Sequence, residues 1–316
     1  MPHALAFAFR GAALLLLALS AACSSPTPPA PAGTLRVVAT IPPAQGIIEP
    51  LLKGAGLKYE LTTLLPPGAS EHGFEIAPDK MAALGRADVV VMIGLGMEPQ
   101  VEKFLAQHPS DRRRVIVLGD SIHEPLQHAD DHDDHDHDAH DDHHHGADPH
   151  AWLDPLIVQS MALNCAIVLK SAAPAAAARI DASQADMVQR VGAVHNEYLS
   201  AIGRAPRNTI IVAHDAYGYL AKRYKLEVIA ITGLNAGEPQ PMDMKKAADV
   251  VRDKHLTTIF IEPQLSPAAA ERLAQATGAK TAILDPLGDG DWFKLMDKNL
   301  AALKAALGST APDKTP

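Results

Sequence analysis

Short apolar runs alternate with amphipathic stretches along most of the chain. In the first half, buried strands are predicted at LRVVAT, YELTTLL, ADVVVMIG and RRVIVLG. Helical stretches lie between these runs, as at residues 78–86, where Pro78 suits the first turn and Met81 and Leu84 fall on one face. Strands that alternate with helices are typical of parallel sheets flanked by helices. The pattern therefore predicts an α/β fold.

The second half of the chain repeats this pattern. Strands are predicted at RNTIIVA, LEVIAIT, TTIFIE and KTAILD, and helices at residues 216–223, 242–254 and 267–277. A chain of 316 residues, 47% of them hydrophobic, can bury one large core or two ordinary ones. The two blocks predict an N-terminal lobe over residues 35–155 and a C-terminal lobe over residues 204–308.

Residues 156–203, between the two lobes, are predicted to be helical. One helix covers residues 156–169, and a second can begin at Pro174 and continue to Gly203. A helix of about 29 residues would be ~43 Å long at a rise of ~1.5 Å per residue. A long helical connector of this kind predicts limited motion between the lobes.

The start of the chain has the layout of a secretory signal. A basic residue precedes a short apolar run and a series of small residues, so residues 1–22 are predicted to be a signal peptide. Cys23 follows directly and indicates a lipid anchor to a periplasmic membrane surface, although simple cleavage near Ala21 stays open. Residues 23–34 form a Pro-rich tether and residues 309–316 a tail.

Most of the unusual composition is concentrated in one segment, HADDHDDHDHDAHDDHHHGADPH. Residues 130–145 contain eight aspartates and no Lys or Arg, and the net charge of the whole chain is −9. Subtracting −8 from −9 leaves −1 for the rest of the chain, which is nearly neutral. We expect no nucleic-acid partner.

This acidic segment cannot form a core, because it has few apolar residues and its like charges repel each other. Residues 128–147 are therefore predicted to be a loop that offers weak and interchangeable metal donors. Three roles stay open for it: a collector that feeds a tighter site, a sensor of zinc sufficiency, and a tolerated insertion. The weak donors are His132, His135, His137, His140, His143, His144 and His145.

Five polar side chains stand at the ends of predicted elements, where parallel sheets gather their ligands. His72 and Glu71 follow the second strand, His214 ends RNTIIVAH, Asp285 ends KTAILD, and His150 closes the acidic segment. Each alone is more typical of a surface residue or a neighbour of a helix cap. Three histidines and one carboxylate together, however, are the usual ligands of a tetrahedral zinc site.

The phrases LPPGASEHGFEIAP, DPHAWLDP, HDAYGYLAKRY, FIEPQLSP and ILDPLGDG occur in this order over most of the chain. Together they resemble the metal-binding solute receptors of bacterial ABC importers, specifically the zinc branch. The resemblance implies two similar α/β lobes, each with a mostly parallel sheet, joined by one long helix. It also implies that the metal lies in the cleft between the lobes. The partners it implies are an inner-membrane permease and its ATPase, served by a receptor that we expect to be a monomer.

Carried over onto this sequence, the resemblance assigns His72, His150, His214 and Asp285 as metal ligands, with Glu71 as the second choice of carboxylate. Glu262 is interpreted instead as an acceptor that orients an imidazole ligand. Three imidazoles favour Zn²⁺ over Mn²⁺, which prefers more oxygen ligands.

We therefore expect zinc capture without enzymatic activity. The alternatives are a receptor of the same family for manganese or another divalent metal, and a secreted zinc-dependent enzyme. A zinc buffer that never meets a permease is a third possibility.

Overall fold

The computed structural model describes residues 33–127 and 147–308. Several of the sequence-based predictions fall outside these residues: the signal peptide (1–22), the lipid anchor at Cys23, the seven weak loop donors and the tail (309–316). Within the described residues, the fold contains two four-stranded sheets, and every strand pair in them is parallel. This confirms the predicted α/β class.

The first sheet has the strand order β2-β1-β3-β4. Its strands end one or two residues earlier than the apolar runs, because side chains such as those of Leu64 and Leu65 are buried in the loop that follows β2. The strands are β1 (Leu35–Ala39), β2 (Tyr59–Thr63), β3 (Val89–Met92) and β4 (Arg114–Val117).

The second sheet repeats the first, with the strand order β6-β5-β7-β8. In both sheets the first strand in the sequence, β1 or β5, lies inside the sheet. The second strand is added on one side of it, and the third and fourth strands are added on the other side. The loops after these strands meet at the carboxyl edge, where ligands collect in sheets of this type. The strands are β5 (Thr209–His214), β6 (Glu227–Thr232), β7 (Thr258–Ile261) and β8 (Lys280–Ile283).

Helices flank both sheets, and several begin with a proline in the first turn, where its missing N–H costs nothing. The helices of the first lobe are α1 (Pro42–Gly54), α2 (Pro78–Arg86) and α3 (Pro99–Gln107). Those of the second are α6 (Gly218–Tyr224), α7 (Pro241–Asp253), α8 (Ala268–Thr277) and α9 (Trp292–Leu307).

Two antiparallel helices, α4 (Pro155–Ala172) and α5 (Ala177–Gly203), connect the lobes and pack on each other. The long helix that the sequence predicts is present and has 27 residues, because Pro174–Ala176 form a 3₁₀ turn before it. Among the described residues, α4 is the one helix long and apolar enough to cross a bilayer. One of its faces is nevertheless buried in the core, as in many globular proteins, and Cys165 lies on that face.

The largest hydrophobic core contains side chains from both lobes and from the connecting helices. Trp292 at the start of α9 packs so close to α1 that a Cβ added at Gly46 would lie 2.7 Å from the Trp292 backbone nitrogen. Arg223 on α6 makes a two-pronged ion pair with Asp154, the residue that caps α4, with N···O distances of 2.8–3.0 Å. The carboxyl ends of the two sheets are thereby held against each other.

Candidate metal centre

Four side chains from three separate segments converge where the carboxyl ends of the two sheets meet. Glu71 and His72 lie in the loop after β2, His150 precedes α4, and His214 is the last residue of β5. One donor atom from each side chain can be chosen so that all four lie within 4.8 Å of one another. The structure thus brings together the three histidines singled out in the sequence and Glu71, the second-choice carboxylate.

The spacing of these donor atoms is close to the edge lengths of a tetrahedral metal site. Oε1 of Glu71 lies 3.6 Å from Nε2 of His150, 3.8 Å from Nε2 of His214 and 3.9 Å from Nε2 of His72. The Nε2 atoms of His150 and His214 are 3.4 Å apart. Ligands at ~2.0–2.1 Å from a tetrahedral zinc ion are about 3.3 Å from each other. Four of the six donor–donor distances are therefore within about 0.6 Å of the zinc edge length, and all four donors lie within 4.8 Å of one another.

The three imidazole rings meet edge-on rather than in stacks. Their centroids are 5.2–5.5 Å apart, and their planes are inclined at 64–85°. Oε1 of Glu71 and Nε2 of His72 are buried without a hydrogen-bond partner among the described residues. Buried polar atoms without partners are costly, and a cation bound between them would remove that cost.

Two further carboxylates fix the orientation of the inner imidazoles. Oδ1 of Asp148 lies 2.8 Å from Nδ1 of His150 and also accepts the His150 backbone N–H at 2.9 Å. A carboxylate oxygen of Glu262 lies 2.7 Å from Nδ1 of His214. With Nδ1–H donated to a carboxylate, each ring presents the lone pair of Nε2 to the centre of the cluster, as in carboxylate–histidine–zinc arrangements.

Glu262 therefore stands where the sequence interpretation places it. The sequence pattern does not assign a role to Asp148, although this residue is the first of the motif DPHAWLDP. Its position two residues before His150 is the one local sign that it could contact that ring.

Burial and mutual contacts shift the pKa values of the cluster strongly. Burial alone would raise the pKa of Glu71, but contact with His150 and the nearby His214 and His72 lower it to about 2. Burial lowers the pKa of His72 to about 4, with Glu71 opposing the shift. Burial would also lower the pKa of His150, but Asp148 and Glu71 raise it to about 9.

The metal-free centre therefore holds an ionised carboxylate next to at least one neutral imidazole. Burial also raises the pKa of Glu262, against the effect of its hydrogen bond with His214. A buried anion beside a neutral imidazole is suited to a cation, and a metal that binds Nε2 of His150 would displace the proton that the raised pKa retains there.

Asp285 is not part of this group of donors. Its Oδ1 accepts hydrogen bonds from the backbone N–H groups of Leu287 and Gly288, at 3.0 and 3.1 Å, and from Nε2 of Gln264 at 3.0 Å. These donors turn the carboxylate into its own loop after β8. In this structure Glu71 therefore lies among the histidines, whereas Asp285, the first-choice carboxylate, lies outside the group.

A cavity of about 560 Å³ opens beside the cluster and is lined by residues of both lobes. His72 is the member of the cluster that lines it, with a side chain 14% exposed, whereas the side chains of Glu71, His150 and His214 are at most 2% exposed. Phe74, Leu95, Met97 and Leu234 are among its apolar lining residues. An ion would therefore reach the centre past His72.

Comparison with known proteins relates both sequence and fold to metal uptake. The chain is 28% identical over 287 residues to the high-affinity zinc uptake system protein ZnuA of Bacillus subtilis, covering 86% of this chain and 88% of that protein. It is 27% identical over 293 residues to the zinc-binding lipoprotein AdcA of Streptococcus pneumoniae, covering 89% of this chain but 57% of AdcA.

A crystal structure of ZnuA superposes with a TM-score of 0.75 at 28% identity, covering 87% of this chain and all of that one. The chain spans little more than half the length of AdcA. Residues 37–306 match the family described as zinc-uptake complex component A, periplasmic. The protein therefore belongs to this family of periplasmic zinc-uptake components.

Proposed function

We propose that this protein captures Zn²⁺ in the periplasm and delivers it to the permease of an ABC importer. Zinc is the cargo, and the Nε2 atoms of His72, His150 and His214 together with Oε1 of Glu71 are its ligands. The observation that carries the proposal is the buried set of four donors at near-tetrahedral spacing. Relatives named for zinc binding and zinc uptake support the same cargo.

The donor set favours zinc over manganese. Three imidazoles and one carboxylate suit a borderline ion that accepts nitrogen, whereas Mn²⁺ prefers more oxygen donors and a higher coordination number. Asp148 and Glu262 hold their imidazoles with Nε2 inward and are themselves bound to Nδ1, so they do not add oxygen ligands. A manganese receptor would need a further carboxylate, and Asp285 is turned into its own loop.

The same donor set favours holding the ion over catalysis. Catalytic zinc keeps one coordination position open for water or substrate, whereas here four protein donors fill a tetrahedron. Three of the four donor side chains are at most 2% exposed, which leaves little space for a substrate at the ion itself. The role is therefore binding and release, with no chemical step.

Transport requires partners that the chain itself does not contain. The proposed partners are an inner-membrane permease and its ATPase, which this protein approaches as a monomer, anchored through a lipid on Cys23. The His/Asp-rich segment acts as a separate, weaker zinc collector or regulator. The described residues that flank this segment, Gln127 and Ala147, pair as an antiparallel bridge, and His150 lies three residues beyond Ala147.

Zinc titration of the mature protein against a chromophoric chelator tests this function. We expect one tight equivalent, retained when residues 130–145 are deleted, whereas the weaker equivalents disappear. His72→Ala, His150→Ala and His214→Ala should each weaken the tight site by more than about 100-fold, beyond the effect of losing an outer partner. His195→Ala is the matched control, because His195 on α5 contacts the hydroxyl of Tyr224 instead. Loss of the tight site on deletion, or its survival in all three cluster variants, would overturn the proposal.

A further inference from the structure

The hydroxyl of Tyr219, on α6 of the second lobe, lies between two chain segments of the first lobe. It accepts the backbone N–H of Leu126 at 3.0 Å and donates to the backbone carbonyl of Asp148 at 3.0 Å. The residue is only 3% exposed, so water does not readily replace these bonds. From this contact we infer that Tyr219 and its neighbour Gly218 are positioning residues for zinc binding, acting on His150 through Asp148. The inference rests on the proposed zinc-capture function.

Tyr219 fastens a short two-stranded stem, formed by residues 126–127 and 147–148. The backbone N–H of Asp148 donates to the carbonyl of Leu126 at 2.8 Å, and Gln127 pairs with Ala147 in an antiparallel bridge. The Tyr219 hydroxyl bonds one backbone group on each side of this stem. Removal of the hydroxyl would leave the part-buried N–H of Leu126 and the buried carbonyl of Asp148 without that partner, which the chain could relieve by shifting the stem.

Gly218 provides the space in which the stem lies against α6. A Cβ added at this position would lie 2.7 Å from Oδ2 of Asp148 and 3.4 Å from Cδ1 of Leu126. The first distance is shorter than real Cβ atoms tolerate, so any larger side chain would push Asp148 away from the helix. Glycine is needed at this position because the stem approaches the helix closely, and not because of a left-handed backbone, since the φ of Gly218 is not in the left-handed region.

Asp148 transmits this placement to the metal ligand. Its backbone carbonyl is held by Tyr219, its side chain lies against Gly218, and its Oδ1 receives both the backbone N–H and Nδ1 of His150. A displaced Asp148 would rotate the His150 ring and move Nε2 away from the other donors. Metal affinity is sensitive to such outer partners, which typically contribute a factor of about 10–100.

The arrangement makes two of the four ligands depend on one structural unit. His214 is the last residue of β5, and α6 begins four residues later at Gly218. The β5–α6 unit therefore supplies His214 directly and places His150, which belongs to the other lobe, through the stem. A movement of α6 relative to the first lobe would disturb both ligands together, so the contact at Tyr219 governs how readily the ion leaves.

Tyr219→Phe in the full mature protein tests this role, with Tyr198→Phe as the matched control. Tyr198 is also buried, and its hydroxyl also donates to a backbone carbonyl, but that carbonyl belongs to Met296 on α9, at 2.8 Å, and not to the stem. We expect Tyr219→Phe to release zinc about 10-fold faster and to bind it correspondingly more weakly, the size of an outer-partner effect. Tyr198→Phe should bind and release zinc as the parent does.

The visible absorption of bound Co²⁺ gives a second reading that a loss of stability alone would not change. We expect Tyr219→Phe to alter the tetrahedral Co²⁺ spectrum and Tyr198→Phe to leave it unchanged. Gly218→Ala should have a larger effect on both zinc release and spectrum, and Gly203→Ala, where an added Cβ meets nothing within 4 Å, should have none. If Gly218→Ala fails to fold, the tyrosine pair still decides the question.

The inference is overturned if the parent binds one zinc ion tightly and Tyr219→Phe matches it in zinc release rate and Co²⁺ spectrum. Equal losses of affinity in Tyr219→Phe and Tyr198→Phe would also overturn it, because the effect would then be one of general stability. If the parent itself binds no tight zinc, the proposed function fails instead. The two failures are therefore distinguishable in one set of titrations.

Discussion

Glu71→Gln tests whether Glu71, rather than Asp285, is the carboxylate ligand of this centre. The side chain keeps its size but loses the negative charge and presents a neutral amide among the three histidines. Oε1 of Glu71 lies within 3.6–3.9 Å of all three Nε2 atoms, so no shift of the backbone is needed for it to act as a ligand. We expect a large loss of zinc affinity.

The size of the loss follows from comparison with outer partners. Removing a group that only orients a ligand costs a factor of about 10–100 in metal affinity. Removing a direct charged ligand should exceed the upper limit of that range, which corresponds to more than ~2.8 kcal/mol at ~1.4 kcal/mol per factor of ten. Asp285→Asn should cost less than a factor of about 10, because the amide oxygen can still accept the loop's hydrogen bonds.

Competition titration with a chelator of known affinity, performed on both variants at one pH, gives the two losses directly. Circular dichroism before the titration shows that each variant is folded. Glu71 is not the carboxylate ligand if Glu71→Gln binds zinc as tightly as the parent. A greater loss in Asp285→Asn than in Glu71→Gln would make Asp285 the carboxylate ligand instead.

Contacts at the metal centre predict two further effects, and the packing of α1 against α9 predicts a third. Glu262→Gln should weaken zinc binding by a factor of about 10–100, measured by the same titration, because the His214 ring loses its anionic partner; unchanged affinity would contradict this. Zinc binding at pH 7.5 should release a proton, since the pKa of His150 is raised to about 9 and the metal needs the neutral ring. Zinc affinity should therefore fall as the pH drops below about 9. Calorimetric heats of zinc binding that are equal in buffers of different ionisation enthalpy would argue against the proton release. Gly46→Ala should lower the free energy of unfolding by about 1–3 kcal/mol in urea denaturation, because its Cβ would meet the Trp292 backbone at 2.7 Å.

The sequence predicts the fold well because the fold depends on local pattern. Each apolar run bounded by loop residues is a strand, and the absence of proline after the 3₁₀ turn at Pro174–Ala176 allows α5 to continue for 27 residues. Strand ends are less predictable, as at β2, because Leu64 and Leu65 are buried in a loop and look like strand residues. The three histidines could be found because each follows a strand or precedes a helix.

The carboxylates could not be assigned in the same way. Glu71 and Asp285 both follow strands, and the difference between them lies in the path of one loop. The backbone N–H groups of Leu287 and Gly288 capture Asp285, whereas Oε1 of Glu71 has no such donor among the described residues. The proposed role of Tyr219 depends on its contacts with Leu126 and Asp148, which precede it in the chain by 93 and 71 positions. Such distances carry no local pattern.

A crystal structure of the zinc-loaded protein, with anomalous data collected on either side of the zinc absorption edge, would show which side chains bind the ion. We expect an anomalous peak about 2.0–2.1 Å from Nε2 of His72, His150 and His214 and from Oε1 of Glu71, with four protein ligands in a tetrahedron. A peak bound by Asp285 in place of Glu71, or the absence of zinc from this cluster in crystals that hold zinc elsewhere, would contradict it.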